Sequence, residues 1–191
     1  RLAPDAVRVT GSLARSNLYY AVRRKGADAA ADLMPLVDPS AGATVVYVAT
    51  QREAARLCEM LTARGVRAGV YSAGEASAAR AAVFDAFTRD RLQVVVATIA
   101  FGMGIDKADV RQVIHYGPPS SAEAYYQQSG RAGRDGQPAA CILFEAPADW
   151  SRLQFLAAEA PHHRRDAALQ LAAGMQAFAD AAGCRHAQLL A

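Results

Sequence analysis

The chain has few cysteines and no long apolar run. Its three cysteines are Cys58, Cys141 and Cys184, and an odd number gives no even disulfide framework, so we expect a reducing compartment and a cytoplasmic location. No apolar stretch approaches the roughly 20 residues that a membrane span requires. No basic-then-apolar leader begins the sequence either, and we expect no membrane partner.

Lysine is also rare, because 19 of the 21 basic residues are arginine. Arginine suits bidentate contacts with phosphate oxygens, whereas lysine acts as a point charge. The formal net charge of +3 is mild. Such a charge permits contact with nucleic acid without requiring it.

Short apolar runs alternate with segments of helical periodicity from residue 17 to residue 144. The strands are predicted at residues 17–24, 43–48, 66–71, 92–97, 110–116 and 139–144, and the helices between them at 27–37, 51–64, 77–87 and 121–130. Nearly continuous apolar strands alternating with helices predict an α/β fold with a mainly parallel sheet and helices on both faces. Helices at 149–158 and 164–182 then follow without strands, which places a boundary near Ala146 and divides the chain into 1–146 and 147–191.

One segment, residues 125–136 (YYQQSGRAGRDG), carries two arginines that each follow a glycine. Glycine lets the backbone approach a ligand closely, and a guanidinium can donate two hydrogen bonds to phosphate oxygens. In nucleotide hydrolysis such cations act as arginine fingers. The alternative is that the residues of this segment form an exposed turn before a strand.

A second segment, residues 101–107 (FGMGIDK), lies between two predicted buried strands about thirty residues upstream of the first segment. The two segments in this order resemble motifs V and VI of superfamily 2 helicases, most closely those of the RecQ family. The resemblance implies a RecA-like second lobe of an ATP-dependent DNA helicase that unwinds in the 3′-to-5′ direction. It further implies single-stranded and forked DNA as partners, and a nucleoid association in a bacterium.

The resemblance also assigns roles to residues of these two segments. Arg134 and Arg131 would be the catalytic arginines at the γ-phosphate, with Arg134 as the finger. Gln127 would relay between nucleotide and DNA, and Asp106 would pair with an arginine or bind the nucleotide ribose. Gln127 is otherwise an ordinary exposed amide, and Asp106 a turn aspartate that caps backbone.

Four more residues are expected to contact the phosphate backbone of a nucleic acid. Thr98 ends a predicted strand, where open α/β sheets bind ligands. Thr50, Ser72 and Arg80 occupy positions that resemble polar or basic positions of the family. The alternative for Thr50, Ser72 and Arg80 is a polar loop residue. Residues 15–17 resemble the family's Arg-Pro-Asn, with Ser16 in the place of proline.

Sequences that would complete an ATPase are missing. The chain has no Gly-x-x-x-x-Gly-Lys-Ser/Thr and no Asp-Glu-x-His, so ATP and Mg²⁺ would be bound mainly by a first lobe of the same protein. We therefore expect this chain by itself to be inactive. Cys184 stands where the family's first zinc ligand would be, but a tetrahedral site needs four ligands and no later cysteine follows. Zinc is expected only in the full-length protein.

Two other interpretations stay open. One is a lobe of a related superfamily 2 helicase, such as a DEAD-box RNA helicase; those usually have His-Arg where this chain has Gln127 and Gln128. The other is a non-catalytic DNA- or protein-binding module, since Gln51, Ser72 and Gln128 depart from the RecQ pattern. Arg131, Arg134 and Asp106 argue against such a scaffold, which would need none of the three.

Overall fold

A single parallel sheet of six strands forms the centre of the molecule. The computed structural model describes residues 14–37, 40, 42–99, 101 and 107–190. The strands are ordered β1-β6-β5-β2-β4-β3, and every neighbouring pair is parallel. They are β1 (Leu18–Arg24), β2 (Ala43–Tyr47), β3 (Ala68–Tyr71), β4 (Val94–Ala97), β5 (Val110–Tyr116) and β6 (Ala139–Glu145). This confirms the predicted α/β class with a RecA-like sheet.

Helices cover both faces of the sheet. They are α1 (Ala29–Leu33), α2 (Gln51–Thr62), α3 (Ser77–Thr88), α4 (Ala122–Ser129), α5 (Pro147–Ala158), α6 (His162–Asp180) and α7 (Arg185–Leu190). Alternate residues of a strand point to opposite faces, so Val45 and Tyr47 join the core under α3, α4 and α6, while Val46 joins the core under α1 and α2. Both faces are apolar because both are buried.

Several helix boundaries differ from the predicted ones. The first helix ends at Leu33 rather than Val37, because Pro35 has no N–H with which to continue the helical hydrogen bonds. Helix α5 begins at Pro147 and not at residue 149, since proline suits the first helical position. Helix α6 already begins at His162. Helix α7 was not predicted at all.

The C-terminal helices pack on the same core as the sheet. Met175 and Phe178 of α6 are buried in it beside Tyr125 of α4. In α7, His186 Nε2 lies 2.8 Å from the carbonyl oxygen of Leu18, and its ring meets Tyr20 edge-on. The predicted division at residue 146 coincides with the junction of β6 and α5, and as a domain boundary it stays a prediction.

Candidate nucleotide and nucleic-acid site

The two glycine-arginine pairs lie in the loop of residues 130–137, between α4 and β6, here called the arginine loop. Helix α4 ends at Ser129 with Gly130 as its C-cap. Gly133 has a φ of +53°, and a β-carbon there would lie 2.5 Å from Asn17 Nδ2 and 2.7 Å from the Gln137 carbonyl oxygen. Because the neighbouring groups leave no room for a side chain, the loop requires glycine at this position.

Arg15 and Asn17, which lie just before β1, hold the arginine loop. Arg15 Nη2 donates to the carbonyl oxygens of Ala132 at 3.0 Å and Gly133 at 2.7 Å. Asn17 Nδ2 donates to the carbonyl oxygens of Gly133 at 2.8 Å and Gln137 at 2.9 Å. These side chains therefore satisfy backbone acceptors that the irregular loop leaves without partners in the sheet.

The other side of the loop is fixed to β5. The Gly133 N–H donates to the Val110 carbonyl oxygen at 2.8 Å. Arg111 Nη2 lies 2.7 Å from both carboxylate oxygens of Asp135. The hydrogen bond from Arg111 lowers the pKa of the Asp135 carboxyl below its ordinary value. The loop is thus attached to both strands that flank β6, the strand it precedes.

Arg131 is partly buried. Its Nε is buried without a hydrogen-bond partner among the described residues. Burial raises the pKa of Tyr47 to about 12 against the opposing charges of Arg131 and Arg134. Arg134 is exposed. The loop therefore presents two positive charges near one buried phenol.

A buried polar pair lies next to Tyr47. His115 Nε2 is 2.8 Å from Gln128 Oε1, and the His115 ring stacks on Tyr47 with centroids 5.2 Å apart. Burial lowers the pKa of His115 to about 4, although the bond with Gln128 raises it. The imidazole is therefore neutral at physiological pH and donates from Nε2. The Gln128 amide oxygen accepts this hydrogen bond without adding a buried charge.

Three of the four residues expected to contact phosphate, Thr50, Thr98 and Ser72, follow neighbouring strands at one edge of the sheet. These three residues and Arg80 are here called the phosphate edge. Thr50 follows β2, Thr98 follows β4 and Ser72 follows β3. The carboxyl ends of parallel strands meet at one edge, so the order β2-β4-β3 brings these residues to it. Arg80 lies in the first half of α3, the helix that leaves this edge after β3.

The residues of the phosphate edge differ in access to solvent. Thr50 is exposed, and its hydroxyl oxygen accepts the Glu53 N–H at the start of α2. Thr98 is 9% exposed, whereas Ser72 is fully buried and its Oγ has no partner among the described residues. A direct contact between Ser72 and a phosphate would require its hydroxyl to be uncovered first.

The remaining expected residues lie outside these two groups. Gln127 is exposed and donates to Glu123 Oε1 at 3.2 Å, one turn earlier on α4. Asp106 lies outside the described residues. Cys184 is exposed, and within the described ranges no three His, Cys, Asp or Glu side chains form a group that could hold a metal ion. His186 binds β1 and does not join Cys184.

Sequence reasoning did not find the roles of Tyr47 and His115. Both look like ordinary sheet residues within apolar runs, and only the pairing of β2 with β5 places Tyr47 opposite His115. One signal was available, because a histidine inside a buried strand needs a polar partner and Gln128 lies thirteen residues later on the next helix.

The family of the helicase conserved C-terminal domain matches residues 28–136. The chain is 40% identical over 182 residues to the ATP-dependent DNA helicase RecQ of Pasteurella multocida, covering 94% of this chain and 29% of that protein. It is 42% identical over 137 residues to the putative ATP-dependent RNA helicase R290 of Acanthamoeba polyphaga mimivirus, covering 71% of this chain and 25% of that protein.

A solved structure has the same fold. A DEAD box protein from the hyperthermophile Methanococcus jannaschii superposes with a TM-score of 0.63 at 23% identity, covering 82% of this chain and 41% of that one. The two helicases matched by sequence are each more than three times as long as the part that this chain spans. No helix in the described part of the chain has the length and apolar character of a membrane span.

Proposed function

Because this chain belongs to the helicase conserved C-terminal domain family, we propose that it is the second motor lobe of a RecQ-like ATP-dependent DNA helicase with 3′-to-5′ polarity. The similarity to RecQ confirms the resemblance found in residues 101–107 and 125–136. In this proposal the lobe supplies Arg131 and Arg134 to a nucleotide that a first lobe binds. Single-stranded and forked DNA would lie along the phosphate edge.

The observation that carries the proposal is the fixed mounting of the arginine loop. Arg15 and Asn17 use four short hydrogen bonds to hold its backbone, while Arg131 keeps a buried Nε without a partner among the described residues. A guanidinium nitrogen that is desolvated and unpaired favours an anionic ligand. A triphosphate fits this donor set, and the bound Mg²⁺ would neutralise its developing charge.

The mounting also determines how the lobe acts in a cycle. Arg131 and Arg134 are attached to a rigid sheet, so they reach or leave the γ-phosphate only when the whole lobe moves. Contacts made in the closed state alone favour closure when ATP is bound, and hydrolysis removes them. Closing and opening would move the phosphate edge along one DNA strand. Contacts with phosphates carry little base specificity.

The test compares ATP hydrolysis by this lobe, by a first lobe from the same source and by both together. We expect hydrolysis only when both lobes are present, and stimulation by single-stranded DNA. Arg134→Ala should lower kcat by about 10³-fold or more. Arg165→Ala is the matched control, because Arg165 is an exposed arginine on α6 and its loss should leave kcat unchanged.

The outcomes separate the other interpretations. Stimulation by single-stranded RNA but not by DNA would assign the lobe to an RNA helicase. If both lobes are folded and hydrolyse no ATP together, while this one still binds single-stranded DNA, the chain is a binding module and the proposal is wrong. Full ATP hydrolysis by the Arg134→Ala variant would refute the role of Arg134 as the arginine finger.

A further inference from the structure

Lys107 is a buried ammonium that joins two elements of the fold. Its side chain is 4% exposed, and its Nζ lies 2.7 Å from Asp90 Oδ1, just after α3, and 3.0 Å from Asp109 Oδ1, just before β5. Burial lowers the pKa of Lys107, but the hydrogen bonds with the two carboxylates outweigh burial and raise the pKa above its ordinary value. The buried group is therefore charged at neutral pH, and its two partners determine where it lies.

Asp90 has a backbone conformation that aspartate seldom adopts. Its φ is +58°, the only positive φ of a non-glycine residue in the part of the chain that the structure describes. Arg67 Nη1 donates to the Asp90 carbonyl oxygen at 2.9 Å and holds this conformation from outside α3. Left-handed residues other than glycine persist only where their surroundings fix them, and they concentrate at functional sites. Here the strained residue is the one that binds Lys107.

The arginine loop is bonded to the segment that follows Lys107, residues 108–110. The carbonyl oxygens of the first and third residues of this segment accept the N–H groups of Asp135, at 3.2 Å, and Gly133, at 2.8 Å. Arg134 stands between these two residues in the sequence. Its backbone is therefore fixed on both sides by residues 108–110.

The middle residue of the segment, Asp109, bonds in both directions. Its carboxylate binds Lys107, while its carbonyl oxygen accepts from Arg111 Nε at 3.1 Å. The same Arg111 guanidinium lies 2.7 Å from both carboxylate oxygens of Asp135. A continuous set of hydrogen bonds and ion pairs thus leads from the end of α3 through Lys107 to the residue after Arg134.

We propose that Lys107 is a positioning residue that determines the location of Arg134 by holding residues 108–110 against the end of α3. This inference rests on the function proposed above. Lys107 contacts neither the nucleotide nor the DNA in this scheme. Without the ammonium, residues 108–110 would lose their attachment to α3, and Arg134 would lose its alignment with the γ-phosphate while the first lobe still binds ATP.

The test is Lys107→Met in the protein with both lobes, which keeps a buried aliphatic chain and removes the charge. The kcat of DNA-stimulated ATP hydrolysis should fall about 100-fold, the effect expected when a catalytic group is misplaced by about 1 Å. KM for ATP should change little, because the first lobe provides most of the nucleotide site. In an Arg134→Ala background, Lys107→Met should cause no further loss, since Lys107 acts through Arg134.

Asp90→Gly tests the same contact from the other partner, without changing a buried side chain. Glycine adopts a φ of +58° without strain, so the backbone of this variant loses no stability while the carboxylate is removed. The kcat should fall about tenfold, the loss expected for one hydrogen bond to a charged group, because Asp109 still binds the ammonium. This variant decides the question if Lys107→Met does not fold.

Lys25→Met is the matched control. Lys25 is the other lysine of the chain, with a side chain 13% exposed and its Nζ 3.0 Å from Asp149 Oδ2 and 4.3 Å from the centroid of the Tyr116 ring. These partners lie on α5 and at the end of β5, away from residues 108–110. The variant should lower Tm and leave the kcat of the folded protein unchanged. Thermal unfolding of every variant shows whether it is folded.

Each result either supports or overturns the inference. A normal kcat in folded Lys107→Met or in Asp90→Gly overturns it, as does an equal fall in Lys25→Met or a full additional loss in the Arg134→Ala background. If Arg134→Ala lowers kcat as expected while Lys107→Met is normal, the proposed function stands and only the positioning role fails. If Arg134→Ala keeps full hydrolysis, the proposed function and this inference both fail.

Discussion

Gly133→Ala is the sharpest test of the idea that the arginine loop works because it is held rigidly. The φ of +53° at Gly133 costs an alanine about 1–2 kcal/mol. The new β-carbon would also lie 2.5 Å from Asn17 Nδ2 and 2.7 Å from the Gln137 carbonyl oxygen. Asn17 must then withdraw from two hydrogen bonds, a further loss of about 2 kcal/mol.

Gly136→Ala is the control for Gly133→Ala within the same loop. Gly136 has a φ of +79°, but nothing lies within 4 Å of an added β-carbon. Gly136→Ala should therefore lower the free energy of unfolding only by the backbone cost, about 1–2 kcal/mol. The corresponding loss for Gly133→Ala is about 3–4 kcal/mol. In a chain of this size each kcal/mol lowers Tm by roughly 2–4 °C.

Calorimetry of the isolated lobe and ATP hydrolysis by the two-lobe protein measure the two effects. We expect Gly133→Ala to lower Tm clearly more than Gly136→Ala. We also expect it to lower kcat by about 100-fold, since misplacing a catalytic group by about 1 Å has an effect of that size. Equal Tm values for the two variants, or normal kcat in Gly133→Ala, would refute the rigid mounting.

Two further predictions concern pH. His115 has a pKa of about 4 when folded and about 6.5 when unfolded, so the unfolded chain takes up the proton first. The free energy of unfolding should then fall by up to roughly 3 kcal/mol as pH drops from 6.5 to 4; urea unfolding at pH 7 and pH 5 checks this, and His115→Phe should reduce the difference. The folded pKa of Asp135 is depressed by Arg111, so its contribution to stability is present above about pH 4 and is lost below it. Asp135→Asn should remove that part of the acid dependence of Tm, and an unchanged profile would mean that the pair with Arg111 does not stabilise the fold.

The sequence predicts this fold well where the signal is local. Continuous apolar runs such as residues 94–97 are typical of strands buried on both faces, and the structure has them in a wholly parallel sheet. Strand order is not local. Strand β1 comes first in the chain yet pairs with β6, the last strand, and nothing in residues 18–24 indicates that partner. The role of Arg15 and Asn17 at the arginine loop follows from this pairing, so their resemblance to a family sequence could be seen while their contacts could not.

The candidate site shows a second limit, because residue type at a strand end does not fix exposure. Thr50 and Ser72 are both hydroxyl residues just after a strand, yet Thr50 is exposed and caps α2, while Ser72 is fully buried. Gln128 illustrates the same point, since its departure from the RecQ pattern can be understood only beside His115. A carboxylate there would place a charge in the core, whereas the neutral amide accepts a hydrogen bond from the imidazole N–H.

These contacts also determine which part of the lobe can respond to a ligand. The backbone of the arginine loop is bonded to the start of β1 and to β5, so it cannot shift without disturbing two strands of the core. The Arg131 side chain is less constrained, since its Nε has no partner among the described residues. A bound anion would therefore reorient that side chain at small energetic cost while the loop stays fixed, which is compatible with the rigid-body movement of the whole sheet that closure requires.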